Sequence, residues 1–489
     1  MHAYDLVVIG AGTAGLVSAA AAAELGARVA LIERERMGGD CLNTGCVPSK
    51  ALLASARAAA DARRAGRFGV RTGPVTVDFG AVMQRMRRLR AELASHDSVA
   101  RFRRLGVDVH LGAARFVARD ALTVGAARLP FLRAIIATGS RPAVPAVPGI
   151  DDVDYYTTDT IFELDHLPAR LAVIGGGGVG CELGLAFARF GSRVTILESA
   201  SRIMSNDDMD AAKLVGDSLE REGVRVLAGC KIRSASRAGE ALSLEAVTSG
   251  VHERIVVDAI LVGAGRTPNV EALGLDVAGV RHDAKAGIEV DDLLRTSNSR
   301  IFAAGDVCTP HRFTHVADQH ARIAVQNALF YPWARVSSRV STWCTYTDPE
   351  VAQVGLTPPE IERQGIDYET FSRELATVDR AVLEGRPEGF LKVHVRRGTD
   401  RILGATLVAR HAGDTLAEVA LAMEAGAGLD TIARTVHPYP TQVAVLRQVA
   451  DDARRRRLTP FVRRVLAWWF GHPSLETYNP ELIESGAKS

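Results

Sequence analysis

Two cysteines with four residues between them, Cys41 and Cys46, lie in the run Gly38-Gly-Asp-Cys-Leu-Asn-Thr-Gly-Cys-Val-Pro-Ser-Lys50. Residues five apart on a regular helix are separated by about 7.5 Å along the axis, with side chains about 140° apart. A disulfide needs Cα atoms roughly 4.4–6.8 Å apart, so this segment must be irregular to close one, and Gly45 supplies the freedom. A bridge that short adds little stability by loop closure. The chemistry it suits is thiol–disulfide exchange. A second chemically able group is His437, in Val436-His-Pro-Tyr-Pro-Thr-Gln442. Prolines on both sides of Tyr439 hold that backbone extended and fix where His437 points, which makes it a candidate acid/base.

These groups must be carried by something that delivers electrons. Asp5–Ile9 reads as a buried parallel strand, followed by Gly10-Ala-Gly12-Thr-Ala-Gly15, an alanine-rich helix to Leu25, and a second strand ending at Glu33. Glycines there let backbone approach a pyrophosphate at a helix N-terminus, and the acid about 20 positions on binds a ribose hydroxyl. The same landmarks return 165 residues later: Gly175, Gly177 and Gly180, then a helix, then a strand ending at Glu198. Two nucleotide sites in one chain imply a flavin dinucleotide and a nicotinamide dinucleotide on paired domains. Thr138-Gly139, Gly265 and Gly305-Asp306 each follow a short apolar strand, where such folds bind ligands; Asp306 is placed to accept a sugar hydroxyl.

At 489 residues the chain is long enough for three or four domains. The fold class expected is α/β, with two Rossmann-like dinucleotide-binding domains and a C-terminal α+β dimerisation domain. The boundaries expected are 1–150 and 271–337 for the FAD-binding part, 151–270 for the NAD(P)-binding domain, 338–453 for the interface domain and 454–489 for a tail. Ala51–Arg64 and Phe79–Leu105 read as helices, and Phe313–Phe330 as a helix capped by Thr314, with His315 capping or packing. A net charge of +2 argues against bulk nucleic-acid binding. Six scattered cysteines give neither a secreted disulfide framework nor a zinc pattern, so no metal is expected, and Cys181, Cys230, Cys308 and Cys344 read as core residues in strands or helices. No apolar run is long enough to span a membrane, and the chain enters a strand by Leu6, so a cytoplasmic location is expected. The tail Arg454–Phe470 is basic and amphipathic: a helix on an anionic membrane surface, or one packed on its own or a partner subunit.

Together, Cys41–Lys50, the two fingerprints, Gly305-Asp306 and His437-Pro438 resemble the flavin-dependent pyridine nucleotide disulfide oxidoreductases, which include dihydrolipoamide dehydrogenase, glutathione reductase and mercuric reductase. The resemblance covers roughly residues 4–452. It implies that Gly10, Gly12, Gly15, Glu33 and Asp306 hold FAD, and that Gly175, Gly177, Gly180 and Glu198 hold NAD(H) or NADP(H). It also implies that Glu182 reaches the nicotinamide and pairs with Lys50. The chain would act as a homodimer that lends His437 to the other subunit's cysteines, passing electrons from NAD(P)H through flavin to the Cys41–Cys46 pair and a substrate disulfide. Cys46 would face the flavin as a thiolate and Cys41 would be the exchange thiol. The family's disulfide reductases place a glutamate five positions after the histidine, where this chain has Gln442. The expectation is that its amide bonds the imidazole, giving a weaker base and a substrate other than a simple dithiol. Reduction of a metal ion or quinone by the same centre is the competing expectation, although no cysteine follows Cys344 to hand over a metal.

Overall fold

The structure is a computed structural model that describes residues 3–471. The chain divides into two compact units, residues 1–349 and 350–489.

The first unit opens with strand β1 (Tyr4–Ile9), helix α1 (Thr13–Glu24) and strand β2 (Val29–Glu33). β1 lies between β2 and Ala127–Ile136, parallel to both, and Asp108–Leu111 extends the sheet beyond β2. Ile301–Ala303 pairs in parallel with Ala127–Ile136, which brings the end of Ile301–Ala303 and Asp306 to the edge where the glycine turn emerges. From Leu6 onward the side chains of β1 alternate between faces. Leu6 and Val8 pack with α1 and the helix Thr314–Leu329, while Tyr4, Val7 and Ile9 join the opposite core. A strand buried on both faces must be apolar throughout, which is why Asp5–Ile9 carries no alternation.

A second parallel sheet runs in the order Arg225–Ala228, Arg193–Glu198, Arg170–Ile174, Ala259–Val262. Its first helix, Gly178–Phe190, begins 165 residues after α1, and Glu198 ends its strand 165 after Glu33. The sequence repeat is therefore a structural repeat. An antiparallel ribbon, Cys230–Ala238, Ala241–Thr248 and Val251–Val257, is inserted before the last strand; its two-residue turns carry Gly239 and Gly250, both at positive φ, a hairpin signal that the expectations above leave out.

In the second unit an antiparallel sheet takes the order Glu350–Gly355, Ile402–Ala409, Phe390–Arg396, Tyr368–Glu374. The helices Ala412–Glu424 and Ala444–Arg455 follow. Three helical expectations need correction. The helix expected from Ala51 starts at Cys46. The helix expected over Phe79–Leu105 breaks into Phe79–Ala94 and Val99–Arg104, because the Ser98 side chain caps a new start at Arg101 N. Cys308 lies in a turn rather than in a strand or helix.

Candidate functional site

Helix α2 (Gly39–Asn43) carries Cys41 and helix α3 (Cys46–Arg64) starts on Cys46. The irregularity that the cysteine spacing demands is Thr44-Gly45 between them. Asn43 fixes this corner by donating to the carbonyls of Met37 and Gly39, at 3.0 and 2.8 Å. Gly38 and Gly39 take left-handed φ values of 89° and 57°, and a Cβ on Gly39 would stand 2.5 Å from the Gly12 Cα. The redox loop is thus pressed against the first glycine turn.

Cys41 is half-buried, Cys46 is exposed, and both are free thiols. Thr314 does not cap its helix: Phe313 occupies the cap position, and the Thr314 hydroxyl lies 3.3 Å from Cys46 Sγ. The two sulfurs differ sharply in acidity. A hydrogen bond from Cys41, then one from Thr314 and the charge of Lys50, bring the Cys46 thiol down to about 6. The same bond, with burial, pushes Cys41 well above the ordinary thiol range. At neutral pH the pair is one thiolate and one thiol.

Lys50 lies four residues after Cys46 on α3, hence on the same helix face. Its Nζ bonds Glu182 Oε2 at 2.8 Å and sits 4.6 Å from the centre of the Tyr346 ring. Glu182 is buried, and its other oxygen accepts from Tyr346 N at 2.8 Å. The Lys50–Glu182 pair expected from the resemblance is present; Tyr346 and Thr314 add contacts that no local spacing could signal. His315 bonds the Thr342 carbonyl through Nε2 and stacks on Phe313, which stacks in turn on Trp343. It packs, as expected.

Gly10 and Gly175 both have positive φ, 101° and 110°, and a Cβ on either would meet a carbonyl oxygen at 2.4–2.5 Å, that of Ala137 or Gly263. A Cβ on Gly15 or Gly180 would strike the carbonyl of Gly10 or Gly175. These four glycines are required by the turn itself. Gly177 instead faces open space, and Gly12 meets nothing closer than Gly39 Cα at 3.7 Å. Helices α1 and Gly178–Phe190 begin with no side-chain cap, so their first-turn amides are free for a pyrophosphate. The carboxylates of Glu33 and Glu198 each brace their own turn: Glu33 accepts from Ala11 N and Glu35 N, Glu198 from Gly176 N and Ala200 N. The residues present fit two dinucleotides.

Asp306 accepts from the Ser140 hydroxyl at 2.7 Å, and burial raises its pKa. Arg266 bonds Ser140 Oγ at 2.7 Å and pairs with Asp40 at 2.8 Å. Arg266 thereby joins the flavin side to the residue preceding Cys41, a role not foreseen beside the expected Gly265. Thr138 and Gly139 are tied to Asn269: the Thr138 hydroxyl donates to Asn269 O, and Asn269 N donates to Gly139 O.

The proline-braced loop departs from expectation. Gln442 does not reach the His437 ring; its amide donates to Thr415 Oγ1 at 2.8 Å. A carboxylate takes the ring instead, Glu418 Oε1, 2.9 Å from His437 Nε2. The His437 side chain is 8% exposed, and its Nδ1 is buried without a hydrogen-bond partner among the described residues. Tyr439, two residues on, is 78% exposed and donates its hydroxyl to Asp379 at 2.8 Å. Regular extended backbone would put residues two apart on one face, so the loop must turn between them to bury His437 and present Tyr439. No group of three or more His, Cys, Asp or Glu side chains fit to hold a metal ion occurs among the described residues.

With this geometry in place, comparison with known proteins is specific. The pyridine nucleotide-disulphide oxidoreductase model matches residues 4–327 and that family's dimerisation domain matches 341–450. Mercuric reductase of Staphylococcus aureus is 32% identical over 91% of this chain and 82% of its own. Dihydrolipoyl dehydrogenase of Geobacillus stearothermophilus is 33% identical over 92% of this chain and 96% of its own. Among solved structures, the Cu(II) complex of the HOCl-induced flavoprotein disulfide reductase RclA from Escherichia coli superposes with a TM-score of 0.82 at 28% identity, covering 92% of this chain and 99% of that one. The chain belongs to the pyridine nucleotide-disulphide oxidoreductases. It is an NAD(P)H- and FAD-dependent flavoprotein oxidoreductase of the disulfide-reducing type, with a domain that supports a homodimer.

Proposed function

We propose that this enzyme reduces a small or protein-bound disulfide in the cytoplasm, with the Cys41–Cys46 pair as the exchange centre. The observation that carries the reading is the unequal setting of the pair: Cys46 opens α3 with Thr314 Oγ1 at 3.3 Å and Lys50 one turn on, which favours a thiolate there, while Cys41 is half-buried. Bound FAD supplies a two-electron carrier between the nicotinamide and the sulfurs. Gly10, Gly12, Gly15, Glu33, Thr138, Gly139 and Asp306 would hold it; Gly175, Gly177, Gly180, Glu198 and Gly265 would hold the nicotinamide nucleotide. Glu182 fixes the Lys50 ammonium beside Cys46, stabilising negative charge there.

Cys41, as a thiol, needs a proton acceptor before it can attack. We assign that proton to His437 of the partner subunit; Glu418, in the place expected for Gln442, holds its Nε2 and its Nδ1 is buried, so the ring has to turn outward to take it. The Cys41 thiolate then forms a mixed disulfide and releases one substrate thiol, which is protonated. Cys46 attacks Cys41, the second substrate thiolate leaves, and the Cys41–Cys46 bond closes, ready for the two electrons that bound FAD and NAD(P)H would supply.

One observation favours a second reading, a thiophilic metal ion or quinone as acceptor. The exposed group on the proline-braced loop is the Tyr439 phenol, and Asp379 raises its pKa. A phenol held protonated cannot serve as a base at neutral pH, but it can orient an electrophile at the thiols. Steady-state assays with lipoamide, oxidised glutathione, Hg(II) and quinones test both. Cys46→Ser should abolish disulfide turnover with FAD still bound; full lipoamide activity in that variant would end the cysteine assignment. His437→Asn should cost about 100-fold in disulfide turnover and Tyr439→Phe little. The reverse order, with turnover confined to Hg(II) or quinone, selects the second reading. The C-terminal helix offers this cytoplasmic enzyme a means of peripheral membrane contact.

A further inference from the structure

The match to the dimerisation domain ends at residue 450, and a further helix follows at Pro460–Trp469. It is well started: the Thr459 side chain accepts from Val462 N, and Pro460 occupies the first turn. Phe461, Val465, Trp468 and Trp469 recur at helical spacing and share one face. That face is turned outward in this chain. Phe461 is 68% exposed, Trp468 80%, Trp469 74%, and Phe470 after the helix 62%. Ala467 is the buried residue of the helix. The segment itself carries charge of one sign, Arg454 to Arg457, Arg463 and Arg464, with no acidic residue between 453 and 471, and Asp430, Asp452 and Glu369 pair with its first four arginines. The base of the segment is fastened to its own domain, Arg457 and Arg454 on Asp430 at 2.6 and 3.3 Å and Arg456 on Glu369 at 2.5 Å.

We propose that the helix Pro460–Trp469 docks the enzyme on an anionic phospholipid surface, with Phe461, Trp468, Trp469 and Phe470 in the headgroup region and the arginines on the lipid phosphates and carboxylates. Trp is the side chain best suited to that boundary, having an apolar body and one N–H donor. Charge favours an anionic surface over a second copy of the same face, because the same segment of a second copy brings arginines and no carboxylate to the contact. A surface rich in acidic lipid complements them. The proposal is independent of which acceptor the thiols reduce.

The test is sedimentation of the FAD-loaded protein with vesicles of phosphatidylcholine, with and without phosphatidylserine. Binding is expected only when phosphatidylserine is present. It should weaken as salt rises and be accompanied by a blue shift of tryptophan emission. Trp468→Ser with Trp469→Ser should lower the vesicle-bound fraction at least about tenfold, and Arg463→Gln with Arg464→Gln should remove the lipid-charge dependence, both with NADH oxidation unchanged. Absence of binding to acidic vesicles overturns the proposal. So does a tryptophan variant that splits the dimer on a sizing column while vesicle binding stays as it was, which would assign the face to a second copy. Loss of binding only when residues 472–489 are deleted would overturn it in favour of that segment.

Discussion

At the scale of single residues, the decisive feature is how two identical side chains five positions apart become chemically unlike. Cys46 opens α3 beside Lys50 and Thr314; Cys41 sits half-buried and gives its proton to the bond between the sulfurs. Because the Cys46 pKa is lowered, to about 6, its thiolate exists above that pH and is lost as pH falls through it. Alkylation of the reduced enzyme by iodoacetamide should therefore be confined to Cys46 at neutral pH and fall away as pH drops below about 6. Cys41 should react only well into the alkaline range. Mass spectrometry of the alkylated peptide reads both; equal labelling of the two cysteines at pH 7 would contradict the division of roles.

At the scale of elements, the helices that carry the chemistry are held at their far ends. Arg189, in the last turn of Gly178–Phe190, has a side chain only 2% exposed and bonds both Glu222 and Asp348 at 2.7 Å. Arg64, the last residue of α3, joins the same two carboxylates. One buried cluster thus ties the helix that presents Glu182 to the helix that presents Cys46 and Lys50. Removing a partner from such a cluster leaves charge uncompensated in a low dielectric, which costs about 3–5 kcal/mol. Arg64 remains in Arg189→Met, so the lower end, about 3 kcal/mol, is expected. Urea unfolding of the FAD-loaded protein measures it. A loss below about 1 kcal/mol would put this cluster in the class of exposed pairs.

At the scale of the whole molecule, one nucleotide-binding design appears twice, and its surroundings set what each copy takes. Glu198 ends the second strand and would repel a 2′-phosphate. Arg202, close enough in sequence to offset this, is occupied. Its guanidinium donates to the carbonyls of Met204, Ser205 and Asp207 at 2.6, 2.8 and 2.8 Å. NADH should accordingly be favoured over NADPH in kcat/KM by at least about tenfold, the equivalent of about 1.4 kcal/mol. Arg202→Ala should leave that ratio in place, though it loosens the loop. Parity between the two nucleotides, or a ratio that collapses in the variant, would show that Arg202 recognises phosphate after all. Among the described residues no helix is long and apolar enough to cross a membrane.

What the sequence determined by itself is whatever the backbone enforces within some twenty residues. The glycine turns at Gly10–Gly15 and Gly175–Gly180 could be read in advance because a Cβ there collides with the chain's own carbonyls. The placing of Lys50 on the Cys46 face follows from one helical turn, but only the structure showed that the helix begins at Cys46 and not at Ala51. Tertiary structure decided the partners brought from far along the chain, because packing of whole elements, not local spacing, sets those distances. Thr314 reaches Cys46 across 268 positions, and Lys50 meets Glu182 across 132. The proline-braced loop shows the limit most clearly. Its proline bracing was legible, but which of His437 and Tyr439 turned inward was not, because residues two apart in extended backbone share a face and the loop does not keep them there. The helix Ala412–Glu424 supplied a carboxylate for His437 inside the domain and left Gln442 to Thr415 and Tyr439 to the surface.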